Sequence, residues 1–322
     1  MAEPTELRDL MASRWRGQPG RLEVWYTTLT DPATGTGLWL HHELVAPSDG
    51  GSAYAHGWAA VFPSDGEPVF DRFGPSTWRQ ADGLVFVAGP VEVTTDRLAG
   101  TAGGIGWDLT AYGGGRPLFT FPRWAWDREL LPAAHVVPAP TASYTGTIRY
   151  GDRELVLTDA PGGTARIYGH GNARRWAWLH ADLGGGDVLE VVAAVSTRPL
   201  MRRLRPLPVV RLRLDGVDHP GGDPLLASLR LCADIGLPTW RVFGRVGDHD
   251  LDVVVTQPPQ RTVTVDYRNP DGTPAVCRNS ERASADVTWR PRARTGRGGG
   301  GGQRHWRLDG TAHAEVGGGR EF

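Results

Sequence analysis

Leu22-Glu23-Val24-Trp25-Tyr26-Thr27-Thr28-Leu29 and Gly37-Leu38-Trp39-Leu40-His41-His42-Glu43-Leu44-Val45 flank the segment Asp31-Pro32-Ala33-Thr34-Gly35. Two apolar-rich runs of strand length, separated by a proline that fixes φ and a glycine that accepts positive φ, predict a β-hairpin. The same pattern recurs outward along the chain. Ala53–Phe62 and Pro68–Phe73 flank Ser64-Asp65-Gly66, and Thr147–Tyr150 and Glu154–Leu157 flank Gly151-Asp152. Trp240–Val246 and Leu251–Thr256 flank Gly247-Asp248, and Thr262–Tyr267 and Ala275–Arg278 flank Asn269-Pro270-Asp271-Gly272. Apart from a short amphipathic start at Thr5–Trp15, the dominant period is two, with turn signals roughly every eight to twelve residues. The chain reads as all-β, built of long antiparallel meanders.

The 322 residues are enough for two ordinary domains with sizeable cores. Gly (44) and Pro (25) together stay below the roughly 25–30% that marks a low-complexity chain. Prolines at 132, 138 and 140 interrupt the pattern around Leu130–Pro140. A second interruption, Arg198-Pro199 to Pro206-Leu207-Pro208, precedes a new strand at Val209–Leu214. The second places the domain boundary, giving residues 1–200 and 201–322. The run Gly298–Gly302 leads into extended Trp306–Leu308 and Ala312–Val316 rather than opening a helix, so it reads as a surface loop and not a phosphate cradle.

Composition excludes several chemistries. All 35 basic side chains are arginine and none is lysine, which removes Schiff-base, covalent pyridoxal and Walker-type phosphate sites. The balance of 35 arginines against 36 acids offers no global field for nucleic acid or an anionic membrane, although peripheral membrane contact stays open. Cys232 and Cys277 are too widely spaced for a zinc or disulfide framework. No secretory leader and no apolar run long enough for a membrane-spanning helix is evident, which gives a cytoplasmic expectation. His41-His42-Glu43 lacks the spacing of a zinc motif, and neighbouring strand residues point to opposite faces, so no metal site is expected. A Gly-x-Ser-x-Gly elbow is also missing.

Thirteen tryptophans outnumber Tyr and Phe individually. Trp124 with Trp126, and Trp176 with Trp178, sit two residues apart and would share one face of a strand, either as core packing or as the wall of an aromatic pocket. The densest polar segment is Tyr168–Asp182. A strand over Arg174–Leu183 would put Trp176, Trp178, His180 and Asp182 on one face, with His170 aimed by flanking glycines. His313 and Glu315 alternate with small residues near the end, either as part of a site or on a solvated edge strand. Asn279-Ser280-Glu281 forms a third polar group. Buried, Glu281 would have a raised pKa suited to proton donation; exposed, it would pair with Arg278 or Arg282.

These segments carry a family resemblance. Glu23-Val24-Trp25-Tyr26 with its hairpin, Tyr144–Asp182 around His170, and Ala312–Gly317 resemble the group of carotenoid 1,2-hydratases, AttH-like and tocopherol cyclase-like proteins. The resemblance implies two lipocalin-like antiparallel β-barrels or strongly curved sheets with few short helices. It also implies a hydrophobic ligand site near the domain contact and cofactor-independent, acid-promoted addition to an alkene of an isoprenoid or polyene. His170 matches the hydratase histidine, although Asn172-Ala173 stands where that motif continues with Trp-Gly. Ala314-Glu315-Val316-Gly317 is similar to the end of the cyclase-like proteins. On this reading Glu281, Glu315 or a protonated His170 delivers the proton and Asn172 orients water or a substrate hydroxyl. Trp25, Trp124, Trp126, Trp176, Trp178, His180 and His313 line the substrate site. A lipid or terpenoid carrier and a glycan-binding β-sandwich are the competing readings.

Overall fold

The computed structural model describes residues 4–128, 133–197, 205–292 and 302–319. The chain forms two compact units: residues 1–119, 123–172 and 266–275, and residues 120–122, 173–265 and 276–322. The division falls between Asn172 and Ala173, earlier than the boundary after residue 200 that proline placement suggested. The reason is strand pairing: the segments just after residue 173 pair with strands from the C-terminal part of the chain. Residues 198–204, at the expected boundary, and most of Gly298–Gly302 lie outside the described residues.

The first unit begins with helix α1 (Pro4–Met11). Strands β1 (Arg21–Thr30), β2 (Gly37–Ala46), β3 (Tyr54–Phe62), β4 (Val69–Thr77), β5 (Phe86–Ala88) and β6 (Val91–Val93) follow. After them come β7 (Arg97–Ala102), β8 (Ile105–Gly114), β9 (Leu118–Phe119), helix α2 (Arg123–Asp127), β10 (Ala133–Tyr150) and β11 (Arg153–Gly169). Their order, β4-β3-β2-β1-β11-β10-β8-β7-β6-β5 with β9 on β10, makes a nearly closed antiparallel barrel. The β1–β2 hairpin closes as its sequence predicts: Asp31 accepts from the backbone of Ala33 and Thr34, and Gly35 adopts a φ of 70°.

The second sheet contains β12 (Arg175–Gly184), β13 (Asp187–Val195), β14 (Leu207–Leu214), β15 (Val217–His219) and, after helix α3 (Pro224–Ser228), β16 (Leu231–Asp234). It continues with β17 (Thr239–Val246), β18 (His249–Thr256), β19 (Val263–Arg268), β20 (Pro274–Pro291) and β21 (Arg304–Gly318). The order is β15-β14-β13-β12-β21-β20-β18-β17-β16, with β19 on β20, in a second curved antiparallel sheet. The described helices are three short segments of α-helix and one 3₁₀ turn at Pro259–Arg261, and none is long and apolar enough to cross a membrane.

Two local expectations change. The prolines near residue 140 do not interrupt the sheet, because β10 runs through Pro138 and Pro140 by shifting register between Val136 and Ala139 and again between Ala139 and Ala142. Bulges accept residues that cannot donate to a ladder. Trp124 and Trp126 lie on α2, not on a strand. Pro122 fixes φ at the entry, and a Trp-x-Trp spacing of two residues does not by itself separate a strand from one helical turn.

Each unit has its own core. In the first, Leu38, Leu40 and Leu44 of β2 meet Trp25, Phe86, Trp107 and Tyr144 inside the barrel. In the second, Ala177, Leu179 and Ala181 of β12 meet Leu189, Val253, Ala285, Ala314 and Val316. A buried ion pair fixes α1 to the barrel. Glu23 accepts from Ser13 Oγ, from the backbone of Arg14 and Trp15, and from Arg166 Nη2. Arg166 also donates to the carbonyls of Leu10 and Ala12 and lies 4.7 Å from the Trp25 ring centroid. Burial lowers the Arg166 pKa to about 10, which Glu23 partly offsets, so the guanidinium stays charged at neutral pH. Removing one member strands the other charge. Arg166→Met is therefore expected to cost about 3–5 kcal/mol in urea unfolding, whereas the double change Glu23→Leu with Arg166→Met should recover a large part of it.

Candidate functional site

Strand alternation decides where polar groups collect in the second unit. On β12 and β21 the small aliphatic residues Ala177, Leu179, Ala312, Ala314 and Val316 face the core. Trp176, Trp178, His180, His313 and Glu315 therefore project from the opposite face. That face is buried as well: His180, Glu190, Asn279, Glu281 and His313 are each 2% exposed or less. Antiparallel register brings them together, pairing His180 with His313 and with Glu190, Trp178 with Glu315, and Asn279 with Glu315.

Each indole is held by a carboxyl group. Trp178 Nε1 donates to Glu190 Oε1 at 2.5 Å and Trp176 Nε1 donates to Glu315 Oε1 at 2.7 Å. Glu190 Oε2 also takes His180 Nδ1 at 2.9 Å, and Cys277 Sγ donates to Glu315 Oε2 at 3.4 Å. The His180 ring stacks near Trp178 and lies 6.0 Å from that of His313. Gly317 is required beneath Trp176, since a Cβ there would stand 2.1 Å from the indole Cζ2.

The centre of the cluster is Glu281, with His313 Nδ1 2.6 Å from its Oε2. Burial raises the Glu281 pKa well above the ordinary carboxylate value, against weaker lowering by Asn279 and His180. Burial also lowers His313 to about 3. Burial therefore favours the neutral form of both partners and weighs against an ion pair at this contact. Glu315 is raised to about 7, chiefly by burial, with hydrogen bonds from Trp176 and Cys277 opposing it and nearby Glu281 adding to it. A buried acid whose protonated form is favoured by burial can deliver that proton, and indole faces in the same cluster can stabilise a cation. His180 Nε2 and Glu281 Oε1 have no well-aligned protein hydrogen-bond partner among the described residues. No group of three or more His, Cys, Asp or Glu among them is arranged to hold a metal ion.

Six of the residues singled out in the sequence thus converge here: Trp176, Trp178, His180, Glu281, His313 and Glu315. Others lie elsewhere. His170 is exposed, immediately beyond the end of β11 at Gly169, with its Nδ1 2.7 Å from Arg21 Nη1. Asn172 donates its backbone N–H and side-chain amide to Asn269 Oδ1, a bond that fixes a turn. Trp124 is 51% exposed, and Trp126 is buried beside Arg14 and Arg166. Trp25 lies within the first barrel, its Nε1 donating to the Met11 carbonyl.

Sequence reasoning overlooked Glu190, a lone acid in the otherwise apolar run Val188–Val195, and Cys277, weighed only against a zinc or disulfide framework. His41-His42-Glu43 was weighed only as a metal motif, and the structure shows a second buried group there on the first sheet, where Glu43 accepts from His41 Nε2 at 3.0 Å and lies 2.9 Å from His56 Nε2. Burial raises Glu43, but the hydrogen bonds from His41 and His56 outweigh it and bring its pKa to about 2. Alternation places His41 and Glu43 on one face and His42 on the other. His42 lines a chamber of about 370 Å³ in the first barrel, together with Trp25, Thr27, Leu98, Tyr144 and Thr164.

With this geometry in hand, comparison with known proteins places the chain. Residues 121–318 match the family model described as tocopherol cyclase-like, so the chain belongs to that family. An uncharacterized protein of Mycobacterium tuberculosis strain H37Rv is 48% identical over 314 residues, covering 97% of this chain and 91% of its own. Among solved structures, kievitone hydratase from Nectria haematococca superposes with a TM-score of 0.55 at 11% identity, over 95% of this chain and 91% of that one. CghA bound to Sch210972 gives 0.61 at 15% identity, over 93% and 88%. An AttH-like protein from Nitrosomonas europaea gives 0.58 at 14%, over 92% of both. The two-unit lipocalin-like fold is shared across this hydratase and cyclase group.

The raised pKa of Glu315 has a sign. An acid whose pKa rises from 4.5 unfolded to about 7 folded stabilises the protein fully below the lower value and loses that contribution as pH rises through the upper one. The swing is about 3 kcal/mol, taking about 1.4 kcal/mol per pH unit. Urea unfolding of wild type should therefore weaken relative to Glu315→Gln between pH 4.5 and pH 7; parallel pH profiles for the two proteins would show that Glu315 titrates normally.

Proposed function

We propose that this protein is a cofactor-independent hydratase or cyclase that adds water or an internal hydroxyl across an alkene of an isoprenoid, terpenoid or polyene. Glu281 is the general acid. Its proton passes to one alkene carbon, leaving a cation on the other and a carboxylate beside His313 and His180. The faces of Trp176 and Trp178 stabilise that cation, and their N–H bonds to Glu315 and Glu190 hold both rings in place. Oxygen from water or from the substrate itself then adds to the cation, and the proton it releases returns to Glu281. Nothing is oxidised or reduced, which is why the step needs no redox group. The observation that carries the reading is a fully buried carboxyl group 2.6 Å from a buried histidine, where burial favours the neutral form of both. Membership of a family described as tocopherol cyclase-like supports it.

The test is turnover. Purified protein incubated with prenylated quinols and acyclic terpenoids should yield hydrated or cyclised product, and Glu281→Gln should lower kcat by about 10²–10⁴ as expected for loss of a general acid. His170→Ala should leave turnover within about twofold, in line with the exposed position of His170. Full activity of Glu281→Gln would remove Glu281 as the acid, and recovery of every substrate unchanged by wild type would instead favour a carrier.

A further inference from the structure

The first barrel contains a chamber that the acid cluster of the second unit does not use. Its volume of about 370 Å³ falls within the roughly 300–1,000 Å³ of small-molecule sites. Apolar side chains make most of the wall, among them Trp25, Leu98 and Ala142. Against this surface stand two polar features on adjacent strands.

The first is His42. Its Nδ1 lies 3.2 Å from the Trp25 carbonyl oxygen, and because a carbonyl can only accept, Nδ1 carries the hydrogen. Nε2 is then a lone-pair acceptor on the side of the ring away from the strand backbone. It is buried, and no described protein group donates to it. The residue as a whole is 1% exposed. Burial lowers the His42 pKa to about 3, so the ring does not acquire a proton at neutral pH to satisfy this nitrogen.

The second feature is a chain of hydroxyls. Tyr144 Oη lies 2.8 Å from Thr164 Oγ1, which lies 2.9 Å from Thr27 Oγ1. Burial raises the Tyr144 pKa to about 12, so the phenol keeps its hydrogen. Three hydroxyl hydrogens share two internal bonds, which leaves one donor and several lone pairs for a guest. The charged residues that line the chamber, Arg8 and Asp96, are exposed. The buried wall therefore offers no cation to a carboxylate and no anion to an amine.

We propose that this chamber binds a neutral alcohol or phenol with an apolar body, the ligand hydroxyl donating to His42 Nε2 and accepting from the Tyr144–Thr164–Thr27 chain. The apolar body fills the space beside Trp25 and Leu98. A fatty acid is disfavoured because its carboxylate would meet another acceptor at Nε2 and lose hydration without gaining a counter-charge. A hydrocarbon or ether fits the wall but leaves Nε2 unpaired. The site is independent of the acid chemistry assigned to Glu281.

Calorimetric titration of the full chain with three probes of matched length tests this: 1-decanol, decyl methyl ether and decanoate. Decanol should bind once per chain and at least tenfold more tightly than the ether, which cannot donate, and than decanoate. His42→Leu should abolish the preference for decanol over the ether, and His42→Gln, which keeps an acceptor, should restore much of it. Ala142→Phe, on the chamber wall, should eliminate binding of all three if the chamber is where they sit; it keeps the test available should His42→Leu not fold. Glu281→Gln should bind decanol like wild type while lacking turnover, which separates this site from the acid cluster. Equal affinity for decanol and the ether, an undiminished preference in His42→Leu, or decanol binding that survives Ala142→Phe would each overturn the proposal.

Discussion

Where β12, β20 and β21 run through residues 176–181, 277–281 and 312–317, neither face of the second sheet is exposed, and that constraint organises the cluster. One face of β12, β20 and β21 is filled with alanine, leucine and valine. Over that stretch the residues that alternate with them are also largely removed from water, so their polar groups have to satisfy one another or remain neutral. The cluster meets that demand in two ways. Glu190 and Glu315 are satisfied by indole, imidazole and thiol donors. Glu281 is held toward its protonated form by burial. A glutamate with a raised pKa is thus a consequence of where the strands place it, and the proposed chemistry would follow from the same burial that makes it costly to ionise.

The two units solve the problem of buried histidine and glutamate differently. On the first sheet Glu43 is ionised because two histidines donate to it, and it is a satisfied structural acceptor. On the second sheet His313 approaches Glu281 closely, but burial dominates and favours the neutral form of each. Similar residues on similar strands therefore serve different ends, decided by the number of donors each carboxyl receives. The Glu23–Arg166 pair is a third solution, in which full charge survives because every oxygen is matched to a donor.

Much of the fold was legible in the sequence because hairpin turns and period-two alternation are local signals. The hairpin around Asp31–Gly35, the paired strands at 240–256 and the strand at 175–184 all appear where their residues suggested. The facing of Trp176, Trp178 and His180 was legible for the same reason, since alternation fixes which side chains share a face. What could not be read were consequences of register. Glu190 joins the site only because β13 pairs with β12 so that it lies opposite His180, and Glu281 meets His313 only through bulges between β20 and β21. His170 looked promising from its glycine neighbours, yet one residue past the end of a strand was enough to leave it in solvent. The domain division was misplaced for a related reason: prolines mark interruptions in local pattern, while a domain boundary is set by which strands pair.

The chain belongs to the tocopherol cyclase-like family, and the proposed chemistry depends on one protonation state. Infrared difference spectroscopy of wild type against Glu281→Gln at pH 7 measures it directly. The account predicts a protonated carboxyl carbonyl band in wild type that is missing from the variant, with no matching loss of carboxylate absorption. Loss of a carboxylate band instead, with no protonated carbonyl, would mean that Glu281 is ionised against His313 and cannot be the acid.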